Sequence, residues 1–370
     1  MAAPVVNVTE EARPERHIDW KGTWPIWLLH VLPFLAFVTG VPWWNWVLLG
    51  GTFFGRMWFI TGGYHRYFAH RSYKTNRVFQ FILAFGGGTA AQKGALWWAG
   101  NHRLHHRYSD TERDAHTPRK GFWWSHMGWI LSDQHDETPT SDIEDFAAYP
   151  ELRWLNNHDW GPPRTLALVI WWFAGWPGLL IGFCMSTVLL WHATFMVNSV
   201  VHVVGTRRYV TTDTSRNNLA VALITLGEGW HNNHHYYPAS ARNGFYWWEY
   251  DVTYYVLRVM SWVGLVRDLK LPTKEIRTSN RIKDGNLDVG MAREYLWQVE
   301  QVIDRSRVPT LDALHPELDS AKDDLESAVA ATADAVQVVG RLDRRRRRQE
   351  RQERHGADAD VSAEADLAAG

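Results

Sequence analysis

The chain has 370 residues, with 39 Lys and Arg against 40 Asp and Glu, and this balance leaves no electrostatic footprint for nucleic acid. Its single cysteine, Cys184, excludes an internal disulfide, a cysteine-ligated iron–sulfur cluster and a cysteine-built zinc site. There are 23 tryptophans, and the mean hydropathy of −0.32 averages concentrated apolar blocks with a polar C-terminal stretch.

Residues 1–22 form a charged, proline-containing leader, which is not the pattern of a cleavable signal peptide. Apolar blocks at 24–40 and 43–62 follow, joined by a Val-Pro turn, and a second pair at 165–183 and 185–204 meets near Cys184. Each block approaches the roughly 20 apolar residues that cross a bilayer, and tryptophans at the block ends suit an interfacial belt. The pairs are therefore expected to form two transmembrane hairpins. Arg13, Arg16, Lys21, Arg66, Arg71, Lys74, Arg77, Arg207 and Arg208 flank the open ends while the turns carry no Lys or Arg. The positive-inside rule then places both termini and all histidine clusters in the cytoplasm of a multi-pass membrane protein. A fifth apolar segment, 78–98, is interrupted by Gly86, Gly87, Gly88, Gln92 and Lys93 and is expected to lie at the interface or re-enter. A crossing there would separate the first two histidine clusters.

Those clusters carry the chemistry. His65 and His70 stand in HRYFAH, His102, His105 and His106 in HRLHH, and His231, His234 and His235 in HNNHH. Residues three and four apart share a helix face, so the second and third clusters can each converge on one volume. Eight imidazoles are too many for one metal ion and suit two. Asn198 and His202, an i, i+4 pair in NSVVH, add a ninth histidine. Neutral imidazole suits iron, zinc, copper and nickel alike, so ligand type leaves the metal open.

The order HRYFAH, WWAGNHRLHH, RKGFWWSHMGWIL, NSVVH and GEGWHNNHH resembles the membrane fatty-acyl desaturases, specifically the Δ9 or stearoyl-CoA type in a bacterial-like form, over about residues 24–270. The resemblance implies an all-α membrane protein of four transmembrane helices, with a cytosolic helical cap holding two irons and dioxygen as co-substrate. It implies nine histidine ligands at His65, His70, His102, His105, His106, His202, His231, His234 and His235, with a water-mediated asparagine at Asn198. His116 sits where the family has a histidine outside the metal shell. Gln92, Trp98 and Thr194 match the bend of the family's acyl tunnel, and Arg119 and Lys120 match a basic pair that would meet carrier phosphates. One departure stands out: animal acyl-CoA enzymes have an Arg-Asp pair where this chain has Gly100-Asn101.

Removing hydrogen from an unactivated methylene is beyond any protein general base, which leaves the work to a metal that activates dioxygen. The expected activity is insertion of a cis double bond, at Δ9, into a long-chain acyl-CoA. The alternatives are an acyl-lipid desaturase or a fatty-acyl hydroxylase of the same histidine-box superfamily. No dinucleotide fingerprint, haem motif or cysteine set is present, so electrons are expected from a separate ferredoxin, cytochrome b5 or flavin reductase. Membrane lipid is the other expected partner, with no nucleic acid. The domain reading is a cytosolic leader at 1–22, a desaturase domain at 23–270, peripheral cytosolic helices at 271–353 and a disordered tail at 354–370. Within the third part, 293–308 and 318–346 have helical spacing, and the basic run 344–348 is placed near lipid headgroups.

Overall fold

The computed structural model describes residues 18–305. The leader before residue 18, the second C-terminal helix expected at 318–346, the basic run and the tail lie outside the described residues. The chain divides into two compact units, Met1–Gly290 and Met291–Gly370.

In the first unit, α1 (Trp24–Val31) continues through a 3₁₀ turn, Leu32–Leu35, and one more helical turn, Ala36–Thr39, before a short connection to α2 (Trp44–Trp58), which passes without a break into a π-helical stretch, Phe59–Ala69. Next come α3 (Arg77–Gly88) and α4 (Ala95–Tyr108). The Asn76 side chain caps α3 by accepting from the Phe79 amide at 2.9 Å. Gly86 and Gly87 lie on the face of α3 that meets the π-helical stretch. A Cβ at Gly86 would stand 2.4 Å from the Phe59 ring, and one at Gly87 would stand 2.2 Å from Tyr64. The glycines read above as interruptions are thus a packing surface that brings α3 against the segment carrying His65.

The chain then runs through α5 (Gly161–Pro177), a second π-helical stretch (Gly178–Met185), α6 (Ser186–Asn198) and the short α7 (Val200–Val203). The third cluster forms the short α8 (His231–Tyr236), and α9 (Val252–Trp262) closes the bundle. A two-residue antiparallel pairing joins β1 (Lys74–Thr75) to β2 (Val266–Arg267), with Lys74 opposite Arg267. Met57, Tyr64, Phe68, Leu83, Leu190 and Leu257 form the fully buried core that these helices share. In the second unit the described part is the rest of α10 (Val289–Arg305).

Four transmembrane helices in two hairpins are not what the structure contains. Among the described residues one helix, Gly161–Val203, is long and apolar enough to cross a membrane by length and composition. That stretch has 43 residues, is interrupted by a kink, and covers nearly all of both blocks expected as the second hairpin. No turn forms at Cys184, because the π-helical stretch carries the backbone straight through. The break falls instead at Gly175, with φ 62° and ψ −162°, just before Pro177. Trp24–Val38 is a shorter apolar helix, and α2, even with the π-helical stretch that continues it, is not apolar enough to pass the same test and carries Arg56 buried in its last turn. The multi-pass localisation, and the placement of both termini and the site on one side of a bilayer, fall with the hairpins.

Candidate metal centre

Nine histidines meet in two sets. His65, His70, His102, His106 and His234 form one, and His105, His202, His231 and His235 the other, with the ligand atoms of each set within 4.8 Å of one another. Local structure explains how. On an α-helix, residues five apart point about 140° away from each other. The His70 amide, however, donates to the His65 carbonyl at 3.2 Å, an i→i+5 bond that closes a π turn and brings both imidazoles onto one face. On α4, His102 and His106 are one turn apart and face the first set, while His105 turns to the second. The short α8 divides its histidines the same way, His234 to the first set and His231 and His235 to the second. His202 arrives on α7, after a kink at Ser199.

Within the first set the Nε2 atoms crowd together. His65 and His234 are 3.0 Å apart, His70 and His102 3.0 Å, His102 and His106 3.1 Å, and His106 and His234 2.9 Å. In the second set, His202 and His231 approach to 3.1 Å through Nε2, while Nε2 of His105 and of His235 is buried without a hydrogen-bond partner.

The residues behind the rings fix which nitrogen faces inward. His65 Nδ1 lies 2.6 Å from Glu228, His105 Nδ1 3.0 Å from Asp114, His202 Nδ1 3.1 Å from Asp110 and His235 Nδ1 2.8 Å from Asp213. A carboxylate at Nδ1 holds the proton there and leaves a lone pair on Nε2. Lone pairs gathered 3 Å apart repel unless a cation lies among them, and that spacing is the one two adjacent donors keep when each is about 2.0–2.1 Å from a shared ion. Burial, helped by neighbouring imidazoles, holds His70, His102, His106, His231, His234 and His235 well below the ordinary histidine range. They are neutral, as ligation requires. Burial alone would raise the Asp110 carboxyl, but His202 and a Thr214 hydrogen bond outweigh it and hold it at about 2. Asp114 is likewise held low against burial by His105 and His116, Asp213 by His202 and its Ser215 hydrogen bond, and Glu228 by His65 and Arg66. The donor set is compatible with a dinuclear iron or similar metal centre.

A cavity of about 280 Å³ opens onto both sets, reaching His65, His102, His105 and His231. Gln92, Trp98, Thr194 and Asn198 line it. Gln92 Nε2 donates to Thr194 Oγ1 at 2.9 Å, and Trp98 Nε1 donates to Gln92 Oε1 at 3.2 Å. The Trp98 indole stacks on His102 with ring centres 4.9 Å apart. Asn198 closes α6, and its carbonyl accepts from Ser125 Oγ at 2.6 Å. Arg119 and Lys120 fall on a single 3₁₀ turn, Pro118–Lys120, outside the cavity lining, where the Lys120 ammonium sits 5.5 Å from the Trp124 ring centre. Gly100 packs against Pro139, where a Cβ would come within 2.7 Å of the proline ring.

Sequence reasoning missed the four carboxylates. Asp110 and Asp114 stand just past HRLHH and Glu228 just before HNNHH, so acidic residues flanking the clusters were the available signal. Asp213 carries no such mark and becomes visible only in the fold. His116, set aside as a ligand, stacks against His105 with ring centres 4.2 Å apart and belongs to a third, smaller group with His105 and Asp114. Burial, reinforced by His105 against the opposing pull of Asp114, holds it at about 3.

The chain is similar in sequence to known desaturases. The chain is 35% identical over 261 residues to a probable chloroplastic lipid desaturase of Arabidopsis thaliana, covering 70% of this chain and 66% of that one. It is 36% identical to an sn-1 stearoyl-lipid 9-desaturase of Synechocystis, covering 71% and 83%. To an icosanoyl-CoA 5-desaturase of Limnanthes douglasii it is 37% identical, covering 70% and 74%. Residues 42–261, which contain all nine converging histidines, match the fatty acid desaturase family, and the chain belongs to that family of oxygen-dependent histidine-box oxidoreductases.

Proposed function

We propose that the chain desaturates a long acyl chain while it is esterified to a lipid, rather than one carried by CoA. The charge of the cavity rim carries this reading. Asp19, Asp133, Asp136 and Asp159 all line the cavity, and Asp133 and Asp136 are exposed. Lys93 is the one Lys or Arg among the described lining residues, and its ammonium is already 2.5 Å from Asp136. Burial raises the Asp159 carboxyl even with Lys93 nearby. A CoA group would bring its phosphates against these acids, while Arg119 and Lys120, the pair expected to receive them, stand elsewhere. A headgroup without net negative charge meets no such penalty. Two of the three relatives above are lipid desaturases, which supports the same choice.

When bound by the nine histidines, a pair of iron ions would supply the dioxygen activation that an unactivated methylene requires. The protein's part is position and exclusion of water. Ile26, Met57, Ile60 and Trp191 give the cavity an apolar wall on the approach to His65. The Trp98–Gln92–Thr194 chain ties α4 to α6 across that wall and sets a bend beside His102. An acyl chain following the bend presents one pair of methylenes to the centre, and we assign the Δ9 pair, in line with the Synechocystis relative. Asn198, at the cavity edge, is assigned a water-mediated contact to the centre. The two electrons come from a separate carrier protein.

The test is direct. The purified chain, with iron and a competent reductase and ferredoxin, is offered stearoyl-phosphatidylcholine, a stearoyl galactolipid and stearoyl-CoA in parallel. Gas chromatography and mass spectrometry should find an alkene in the lipid-borne chains. Conversion of stearoyl-CoA alone would sink the carrier assignment, and a hydroxylated product would move the chain to the hydroxylases.

A further inference from the structure

The two histidine sets are not equivalent once the residues behind them are counted. In the four-histidine set, three imidazoles are backed by carboxylates: His105 by Asp114, His202 by Asp110 and His235 by Asp213. In the five-histidine set, among the described residues, a carboxylate backs His65 alone. That carboxylate, Glu228, is shared with the buried Arg66 guanidinium at 3.0 Å. A second arginine, Arg103, passes beside the same set, donating to the carbonyls of Phe68 and Ala69.

The carboxylates of the four-histidine set are also locked in place. Asp110 accepts from the Thr214 amide and hydroxyl at 2.5 and 2.7 Å, and Asp114 accepts from the amides of Asp110 and His116 at 3.0 and 3.2 Å. Asp213 accepts from the Ser215 amide at 2.9 Å. The two loops hold each other: Asp110, after α4, is pinned by Thr214, one residue beyond Asp213. A carboxylate that accepts from the far side of an imidazole raises its basicity as a ligand and fixes its orientation.

We infer that the four-histidine set is the tighter of the two metal positions and fills first, because Asp110, Asp114 and Asp213 polarise three of its four imidazoles. Asp110, Asp114 and Asp213 are positioning residues in this assignment. The surplus of imidazoles in the five-histidine set does not offset this, because among the described residues only His65 has a carboxylate behind it, and Arg66 shares that carboxylate. The inference rests on the dinuclear reading of the centre.

Metal binding, not turnover, decides the matter. The metal-free full chain is titrated with Fe(II) under anaerobic conditions against a competing chelator, with bound metal counted per chain and ⁵⁷Fe Mössbauer spectra recorded at half-loading. Two steps at least about tenfold apart in affinity are expected, with one quadrupole doublet at half-loading. Asp213→Asn, nearly isosteric but uncharged, should weaken the first step about 10–100-fold and leave the second in place. Glu228→Gln should leave the first step unchanged. Coincident steps in the wild type overturn the inference, as does an unchanged first step in Asp213→Asn. Should Asp213→Asn lose its helical circular dichroism, Asp114→Asn takes its place, and the wild-type titration decides without either. Saturation at one ion per chain is a separate result, which removes the dinuclear reading itself.

Discussion

Gln92 and Thr194, 102 residues apart in sequence, are joined side chain to side chain at 2.9 Å, and this bond fixes the cavity wall beside the histidines. Thr194→Val keeps the shape but leaves the Gln92 amide without its acceptor. Stranding a half-buried donor costs part of the roughly 1–3 kcal/mol of a fully buried one, so the glutamine side chain is expected to turn away and loosen the bend. The double bond should then spread to neighbouring positions while metal content stays at the wild-type level. A single unchanged isomer in the mass spectrum of the products would place the bend elsewhere.

The histidine sets predict a pattern of metal loss. His234→Ala and His105→Ala each remove a donor from a different set, so each should cost one ion per chain and abolish turnover. His116→Ala should retain both ions, since His116 belongs to neither the five-histidine nor the four-histidine set. Metal analysis after gel filtration distinguishes the three, and loss of an ion from His116→Ala would redraw the ligand shell.

Acid should unfold the metal-free chain early. The six buried histidines of the two sets whose affinity for protons is lowered, and His116 beside them, stay neutral when folded but take up protons near pH 6.5 when unfolded. Their contribution is complete above pH 6.5 and drains away below it, at up to about 1.4 kcal/mol per pH unit for each. Asp110 adds a second loss in the same direction, beginning near pH 3.8 and complete near its folded value of about 2. Thermal melts between pH 8 and pH 5 should fall steeply below 6.5, and bound metal should flatten the curve. A flat profile for the metal-free chain would contradict the burial of these rings.

Gly100 offers a check on the carrier. Installing the arginine of the animal acyl-CoA enzymes as Gly100→Arg forces a Cβ to 2.7 Å from the Pro139 ring and 3.2 Å from its carbonyl. The strain should cost about 1–3 kcal/mol and lower the melting temperature by several degrees without conferring activity on stearoyl-CoA. A gain of acyl-CoA turnover would show that Pro139 yields and that the rim tolerates phosphate.

The sequence made the centre more legible than the scaffold. HRLHH and HNNHH declare themselves because i, i+3 and i, i+4 spacing marks one helix face, whichever fold surrounds it. HRYFAH does not, since five-residue spacing joins one face only in a π turn, and no residue pattern announces that geometry. The apolar blocks were read by length and hydropathy, which cannot distinguish a turn at Cys184 from a helix that runs on to break elsewhere. Gly86 and Gly87 looked like breakers because a glycine exposed in a loop and one pressed against an aromatic ring leave the same letter. Asp213 and Thr214 acquire meaning only when the loop holding them meets the one after α4. Arg119 and Lys120 show that a motif match carries no position: the fold sets the pair on a 3₁₀ turn outside the cavity lining.

The distribution of ligands along the chain also sets the timing of assembly. The first set needs His234 to join donors that begin at His65, and the second takes three of its four members from residues 202–235. A growing polypeptide therefore exposes His65, His70, His102, His105 and His106 long before either position is whole. During that interval these imidazoles have no complete site around them. Loading with the right metal is a late event of synthesis, after residue 235 has emerged, and cells starved of iron at that moment should accumulate full-length chain that is folded around the wrong ion or around none.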